Sequence, residues 1–249
     1  MDKIIGLGNA LIDVLATLKD DTLLDELELP KGSMQLIDDA KLQQINTKFS
    51  QMKTHLATGG SAGNAILGLA CLGAGTGFIG KVGNDHYGDF FRKNLQKNNI
   101  EDNLLTSEQL PSGVASTFIS QDGERTFGTY LGAAASLKAE DLTLEMFKGY
   151  AYLFIEGYLV QDHEMILHAI ELAKEAGLQI CLDMASYNIV ENDLEFFSLL
   201  INKYVDIVFA NEEEAKAFTG EEPEEALRVI AKKCSIAIAV SYTHLTLPT

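Results

Sequence analysis

Positive charge is scarce in this sequence: 19 lysines and arginines stand against 36 aspartates and glutamates, a formal net charge of -17. Phosphate contacts need clusters of Lys and Arg, so nucleic acid is excluded as the main partner. Docking on an anionic membrane surface is disfavoured for the same reason. Cysteine is scarce too, with only Cys71, Cys181 and Cys234, none in a CxxC pair and each in an apolar stretch. That pattern predicts buried, reduced core thiols rather than a disulfide framework or a metal site. No uninterrupted apolar run reaches the roughly 18 residues of a membrane helix. The opening stretch MDKIIGLGNALIDV is broken by Gly6, Gly8, Asn9 and Asp13 and lacks a small-residue cleavage site, so it reads as no signal peptide. The expectation is a cytoplasmic protein. Internal repeats, low-complexity segments and Pro-rich linkers are absent, and the histidines show no metal-ligand spacing.

What is present is a chain of 249 residues, 47% of them hydrophobic, enough for a sizeable core. Short apolar runs at Lys3–Gly8, Gly77–Val82, Tyr152–Glu156, Gln179–Asp183, Ile207–Ala210 and Ile236–Val240 read as buried strands. Helical patterns lie between them at Gly63–Leu72, Gly88–Lys97, Asp162–Ala176, Leu194–Asn202 and Glu212–Thr219, with Gly177 placed to end the third. This rhythm predicts βαβ units and an α/β fold with a parallel sheet. Two regions, Val14–Asp38 and Gly113–Leu131, alternate instead (SMQLI, VASTFIS, RTFGTYL) and predict half-exposed antiparallel strands in a small accessory sheet.

Glycine is concentrated between His55 and Phe91. In THLATGGSAGNA a strand-like lead meets Gly59-Gly60 and a helix then begins, with Ser61 as candidate N-cap. Paired glycines free the backbone and remove the Cβ that would block a ligand, and helix-start N–H groups favour polar or anionic ligands. A tight turn built for helix–sheet packing explains the same spacing, and both readings stand at this level. The stretch is not a phosphate loop, because the Lys-Ser/Thr is absent, and no G-x-G-x-x-G follows the first strand, which argues against a nicotinamide-dinucleotide enzyme.

Four motifs in order resemble the ribokinase-like, or PfkB, family of carbohydrate and nucleoside kinases. Gly8-Asn9-Ala10-Leu11-Ile12-Asp13 is similar to its sugar-reading segment, Gly59-Gly60-Ser61-Ala62-Gly63-Asn64 to its di-glycine hinge, Gly80–Gly88 to its first signature, and Asn211–Glu214 to its N-x-x-E motif. GNALID and ERTFGTYLGAAASL look closer to the adenosine-kinase-like branch. The resemblance implies a ribokinase-like fold, a central mostly parallel sheet flanked by helices with a small β-sheet lid over the regions 14–38 and 113–131. It implies transfer of phosphate from ATP to a hydroxymethyl group of a small-molecule sugar or nucleoside, with Mg²⁺. Asp13 and Asn64 would bind acceptor hydroxyls, with Gly59 and Gly60 as the hinge. Asn9 would hold the turn and Arg125 would close over the substrate. Asn211 and Glu214 would organise Mg²⁺ through water. Each has a plainer reading: a turn residue for Asp13, a first-turn helix residue for Asn64, an exposed strand charge for Arg125, and a helix cap for the Asn211–Glu214 pair. Two copies pairing through the lid is a further implication. No chemistry is assigned to Lys81 or Asp85.

The family's G-A-G-D motif, which supplies the catalytic base and an anion hole, does not occur; the nearest string, Gly73-Ala74-Gly75-Thr76, lacks the Asp and comes early. The expectation is therefore a kinase domain over 1–240, incomplete at its C-terminus, with no catalytic base of its own, and a non-native tail over 241–249. The fragment is expected to be inactive, with an exposed sheet edge. The alternative is a sugar- or nucleoside-binding protein without transfer.

Overall fold

The computed structural model describes residues 2–241. The expected tail beyond Ser241, and His244 with it, lies outside the described residues. Strands run in chain order as β1 (Ile4–Leu7), β2 (Leu11–Thr17), β3 (Met34–Leu36), β4 (Thr54–Gly59), β5 (Thr76–Gly83), β6 (Ile100–Ser107), β7 (Gly113–Ile119), β8 (Arg125–Tyr130), β9 (Tyr152–Glu156), β10 (Gln179–Asp183), β11 (Ile207–Asn211) and β12 (Ile236–Val240). The described residues divide into two compact units, one formed by residues 2–8 and 138–241, the other by Asn9–Leu137.

In the first unit, β12, β11, β10, β9 and β1 pair in that order, all parallel. Parallel pairing needs crossovers, and helices His163–Glu175, Leu194–Lys203, Glu212–Thr219 and Pro223–Ala231 lie between the strands of this unit. Helix His163–Glu175 buries Met165, Ile166, Ala169, Ile170 and Ala173, the 3.6-residue stripe read from the sequence. Gly177, at φ 85°, follows its C-cap. On β12 the pattern reverses: Ile236, Ile238 and Val240 are 51%, 40% and 50% exposed.

The second unit holds the parallel pair β5–β6 with helices Ser61–Cys71 and His86–Lys97, where Phe78 and Phe91 meet at 5.5 Å. It also holds a five-stranded sheet in the order β3-β8-β7-β2-β4. That sheet is mixed. β2–β4 and β7–β8 are antiparallel as expected, but β2–β7 and β3–β8 are parallel. The connection between β2 and β7 is long enough for a crossover, which alternation alone does not reveal. One face buries Ile12, Val14 and Phe118, and helix Asp39–Phe49 meets it with the Phe49 and Phe118 rings 5.0 Å apart. Gly128 leaves room for the helix there: a Cβ would stand 3.1 Å from Ile45 Cδ1, so that side chain would have to shift.

The expected architecture, a parallel sheet with helices and a smaller lid-like sheet, is the one observed. Two local expectations fail. Cys71 is exposed, because it ends its helix on the outer side, while Cys181 is buried. Burial pushes the Cys181 thiol up to about 12, so it is inert. The cap of helix Ser61–Cys71 is Gly60 at φ 85°, not Ser61, since the chain enters the helix through a conformation that favours glycine.

Candidate active site

In the second unit, strand register puts Ala57, Asp13, Ala115, Thr129 and Leu36 in one row across the sheet. The next row is His55, Leu15, Thr117, Phe127 and Met34. Both rows lie on the face opposite the helix-covered one. Asp13 is the one carboxylate in these two rows, among aliphatic, aromatic and threonine side chains; the middle, at Ala115, Thr117 and Thr129, is buried, and the face opens at its outer part, where Met34 is 47% and Leu36 65% accessible.

Asp13 sits half-buried in that apolar setting. Its diagonal neighbour is Gly59, because Leu11 is the residue directly opposite Gly59. A Cβ on Gly59 would stand 2.7 Å from Asp13 Cγ and 2.8 Å from Oδ2, and closer still to Oδ1. The missing side chain is therefore the space that the carboxylate occupies. Burial raises the Asp13 pKa, and the Arg125 charge pulls it the other way. Arg125, exposed at the start of β8, lies on the same face: the register Thr17–Ile119–Arg125 keeps the parity of Asp13. Asn64 is on the first turn after Gly60, its side chain exposed to solvent. Asn9 is 7% exposed and partnered. The six residues expected to grip substrate thus all belong to one compact unit, and three of them, Asp13, Gly59 and Arg125, share one neighbourhood.

Gly80–Gly88 is a structural bolt. Asp85 caps helix His86–Lys97, accepting from Tyr87 N (3.1 Å) and Gly88 N (2.9 Å). It also takes Ser112 N at 2.8 Å and Ser112 Oγ at 2.7 Å. Gly83 N–H donates to the same Ser112 Oγ at 2.9 Å. A Cβ at Gly83 would be 2.7 Å from the Pro111 carbonyl carbon, so a glycine is needed for the loop to pass. Burial alone would raise the Asp85 pKa, but the accepted hydrogen bonds outweigh it and leave it lowered. Lys81 Nζ donates to Ser136 O at 3.0 Å within the same unit.

In the first unit, Asn211 and Glu214 form a reciprocal capping box. Glu214 N donates to Asn211 Oδ1 at 2.9 Å, while Asn211 N and Nδ2 donate to Glu214 Oε2 and Oε1, both at 2.8 Å. Glu214 is 4% exposed. Burial, with help from Asp183 and Glu213, raises its pKa against the Asn211 hydrogen bond. Direct ligation of Mg²⁺ does not suit a carboxylate held this way, and no group of three metal-ligating side chains exists among the described residues. Each carboxylate oxygen keeps a second lone pair, so a role through ordered water does suit it.

The sequence reading missed the surroundings of Glu214. β9 and β10 end in Glu156 and Asp183, which are register partners, and Glu156 is only 1% exposed. The nearby Tyr158 phenol is raised by burial first and then by Glu156, Asp183 and Glu214. The available signal was an acidic residue closing each of two neighbouring parallel strands, where ligands of α/β sheets bind.

Residues 32–242 match the family described as pfkB family carbohydrate kinase. Among curated proteins, the guanosine-inosine kinase of Escherichia coli (strain K12) is 26% identical over 230 residues, covering 88% of this chain and 53% of that protein. Adenosine kinase 2 of Arabidopsis thaliana is 25% identical over 243 residues, covering 92% and 69%. The chain thus spans about half the length of the first of these relatives. Among solved structures, a probable sugar kinase from Rhizobium etli CFN 42 superposes with TM-score 0.84 at 30% identity, over 96% of this chain and 74% of that one. The adenosine kinase from Sinorhizobium meliloti gives 0.83 at 30% identity, over 97% and 75%.

Proposed function

The chain belongs to the pfkB family of carbohydrate kinases, and from that premise we propose that it grips the acceptor of an ATP-dependent kinase, a sugar or nucleoside phosphorylated on its hydroxymethyl group. The observation that carries this reading is the Asp13 carboxylate lodged against the bare backbone of Gly59 on an open sheet face. A carboxylate accepts from two hydroxyls at once, which suits a vicinal diol. Asn64 adds an exposed amide that can both donate and accept, and Arg125 adds a positive charge on the same face as Asp13. Leu15, two residues from Asp13 along β2 on the same face, and Ala57 and Ala115, its register partners, give apolar surface beside the acid, which favours a flat apolar group beside the diol, hence a nucleoside over a free sugar. The names of the relatives, guanosine-inosine and adenosine kinases, support the same choice.

ATP supplies the phosphoryl group when bound. Glu214, held in place by Asn211, orders water about Mg²⁺ rather than binding it directly. The sequence holds no G-A-G-D string, so the 249-residue chain binds acceptor without turning it over. The binding-only alternative predicts the same behaviour for a longer native chain; a G-A-G-D motif in that chain, with activity, separates the two. The exposed Met34 and Leu36 on the edge strand β3 suit pairing of two copies through this sheet. We place the protein in the cytoplasm; no described helix is long and apolar enough to cross a membrane.

The test is calorimetric titration of the chain with adenosine, guanosine, ribose and fructose, beside Asp13→Ala. Saturable nucleoside binding that the variant loses supports the reading. Binding that survives the substitution removes Asp13 from the site, and ADP release in the presence of acceptor removes the claim of inactivity.

A further inference from the structure

At the far end of the five-stranded sheet lies a groove of about 740 Å³, within the range of small-molecule sites. It is lined by the end of β2 (Thr17), the segment Leu18–Asp20, helix Thr22–Glu26, and Gln51–His55 leading into β4. One wall is apolar, from Leu18, Leu23 and Met52. The other carries Lys19, Lys53 and His55. Two carboxylates line it as well: Glu26 is ion-paired with Lys48 at 2.5 Å, and Asp20 accepts from Thr22 N at 3.0 Å and keeps its charge beside Lys19. Lys53 and His55 have no carboxylate partner among the described residues. Lys31, Lys41, Lys48, Arg92 and Lys138, by contrast, are ion-paired.

We propose that this groove is a second ligand site, and that it takes a small phosphate monoester. The dianion would sit between the Lys19 and Lys53 ammonium groups, with the His55 ring and the Thr17 and Thr22 hydroxyls as further polar partners. The organic body would lie on Leu18, Leu23 and Met52. Asp13 is not among the residues that line this groove: along β2, Asp13 and Thr17 are four residues apart, about 13 Å at strand rise, and only His55 comes within one row of Asp13 on the same face. The inference concerns a second ligand and goes beyond the proposed reaction.

The experiment is titration of the 249-residue chain with phenyl phosphate, a monoester that carries no nucleoside, followed by competition with inorganic phosphate. The variants are Lys19→Gln with Lys53→Gln and, as a control of equal charge change outside the groove, Lys93→Gln with Lys97→Gln; thermal melts check that each is folded. The expected result is saturable binding that phosphate displaces. The Lys19 and Lys53 double variant weakens it at least tenfold, and the control leaves it unchanged. Absence of saturable binding, failure of phosphate to compete, indifference to the Lys19 and Lys53 changes, or equal loss in the control each overturns the proposal.

Discussion

Gly59→Ala is the most informative single change, because one methyl group reports on the position of the Asp13 carboxylate. The new Cβ would lie 2.7 Å from Asp13 Cγ and 2.8 Å from Oδ2, distances that real Cβ atoms do not tolerate. The backbone of Gly59 is paired to β2 and cannot retreat without breaking the ladder, so the carboxylate is what moves. Asp13 is half-buried and its carboxylate is a short, rotatable end. Relief by rotation keeps the stability cost low, ~1 kcal/mol, at the lower limit for overpacking. Ligand binding suffers more. Removing a charge-assisted pair of hydrogen bonds from its working position costs about 1.5–3 kcal/mol, roughly 10- to 150-fold in nucleoside affinity. The assay is a double-mutant cycle of Gly59→Ala and Asp13→Asn, read by nucleoside titration and thermal melting. If the alanine acts through the carboxylate, it costs little further affinity once Asp13 is already neutral. Additive losses would refute the reasoning, and so would a Gly59→Ala variant that binds normally.

Asp13→Asn is expected to raise the melting temperature near neutral pH while weakening nucleoside binding. Its folded pKa is raised, so the native state binds more protons than the unfolded one, and stability falls as pH rises from the usual carboxylate value through the raised one. A melt series from pH 3 to 7 that shows no such gain for the variant contradicts this. Asp85→Ala is expected to destabilise by about 2–3 kcal/mol, from a lost N-cap and the buried donors of Ser112 and Gly88 left unpaired. Its lowered pKa gives the opposite sign: stability present above the usual carboxylate value is lost as pH falls through the lowered one. Denaturant unfolding at pH 7 and pH 3 measures both effects, and equal stability of the variant and the parent at pH 7 sinks the bolt. Changing Ile236, Ile238 and Val240 together to threonine is expected to slow concentration-dependent aggregation in light scattering without lowering the melting point, because these side chains are exposed apolar surface on β12.

The parallel half of the fold was legible because buried parallel strands read as continuous apolar runs: YLFIE, QICLD and IAIAV coincide with β9, β10 and β12. Boundaries shifted where caps were misjudged, as at Ser61. Helix Asp39–Phe49 was missed because its surface is mostly polar and it buries only Ile45 and Phe49. β6 was missed because IEDNLLTS alternates poorly, its half-exposed side chains interrupting the pattern. β7 read as half-exposed and is nearly all buried, Ala115 and Thr117 included, because it is an interior strand of its sheet. In the five-stranded sheet the parallel pairing of β2 with β7 and of β3 with β8 was not legible, since alternation reports which face a residue occupies and carries nothing about which way the next strand runs. For the candidate site, residue types were visible and partnership was not. Asp13 and Gly59 stand 46 positions apart in the chain, and only strand register makes them neighbours.

The Asn211–Glu214 pair shows why a cap and a metal-organising role need not compete. A capping box satisfies the exposed N–H groups of a helix start by fixing a carboxylate there in one orientation. Glu214 spends one lone pair of each oxygen on Asn211 and keeps the others. Fixing the acid this way also lets it stay in a cluster that repels it: Asp183 and Glu213 both raise its pKa. Substituting Asn211 with alanine removes its two side-chain contacts and keeps the backbone N–H to Glu214, whereas Glu214→Gln keeps the shape and removes the charge. If the pair is only a cap, Asn211→Ala should destabilise the chain by ~1 kcal/mol and Glu214→Gln should be neutral or stabilising. Neither should alter any response to Mg²⁺. If Glu214 orders metal-bound water, Glu214→Gln should also abolish a Mg²⁺-dependent rise in melting temperature that Asn211→Asp retains. A parent chain whose melting temperature ignores Mg²⁺ with and without ATP would leave the capping box as the whole role of the pair.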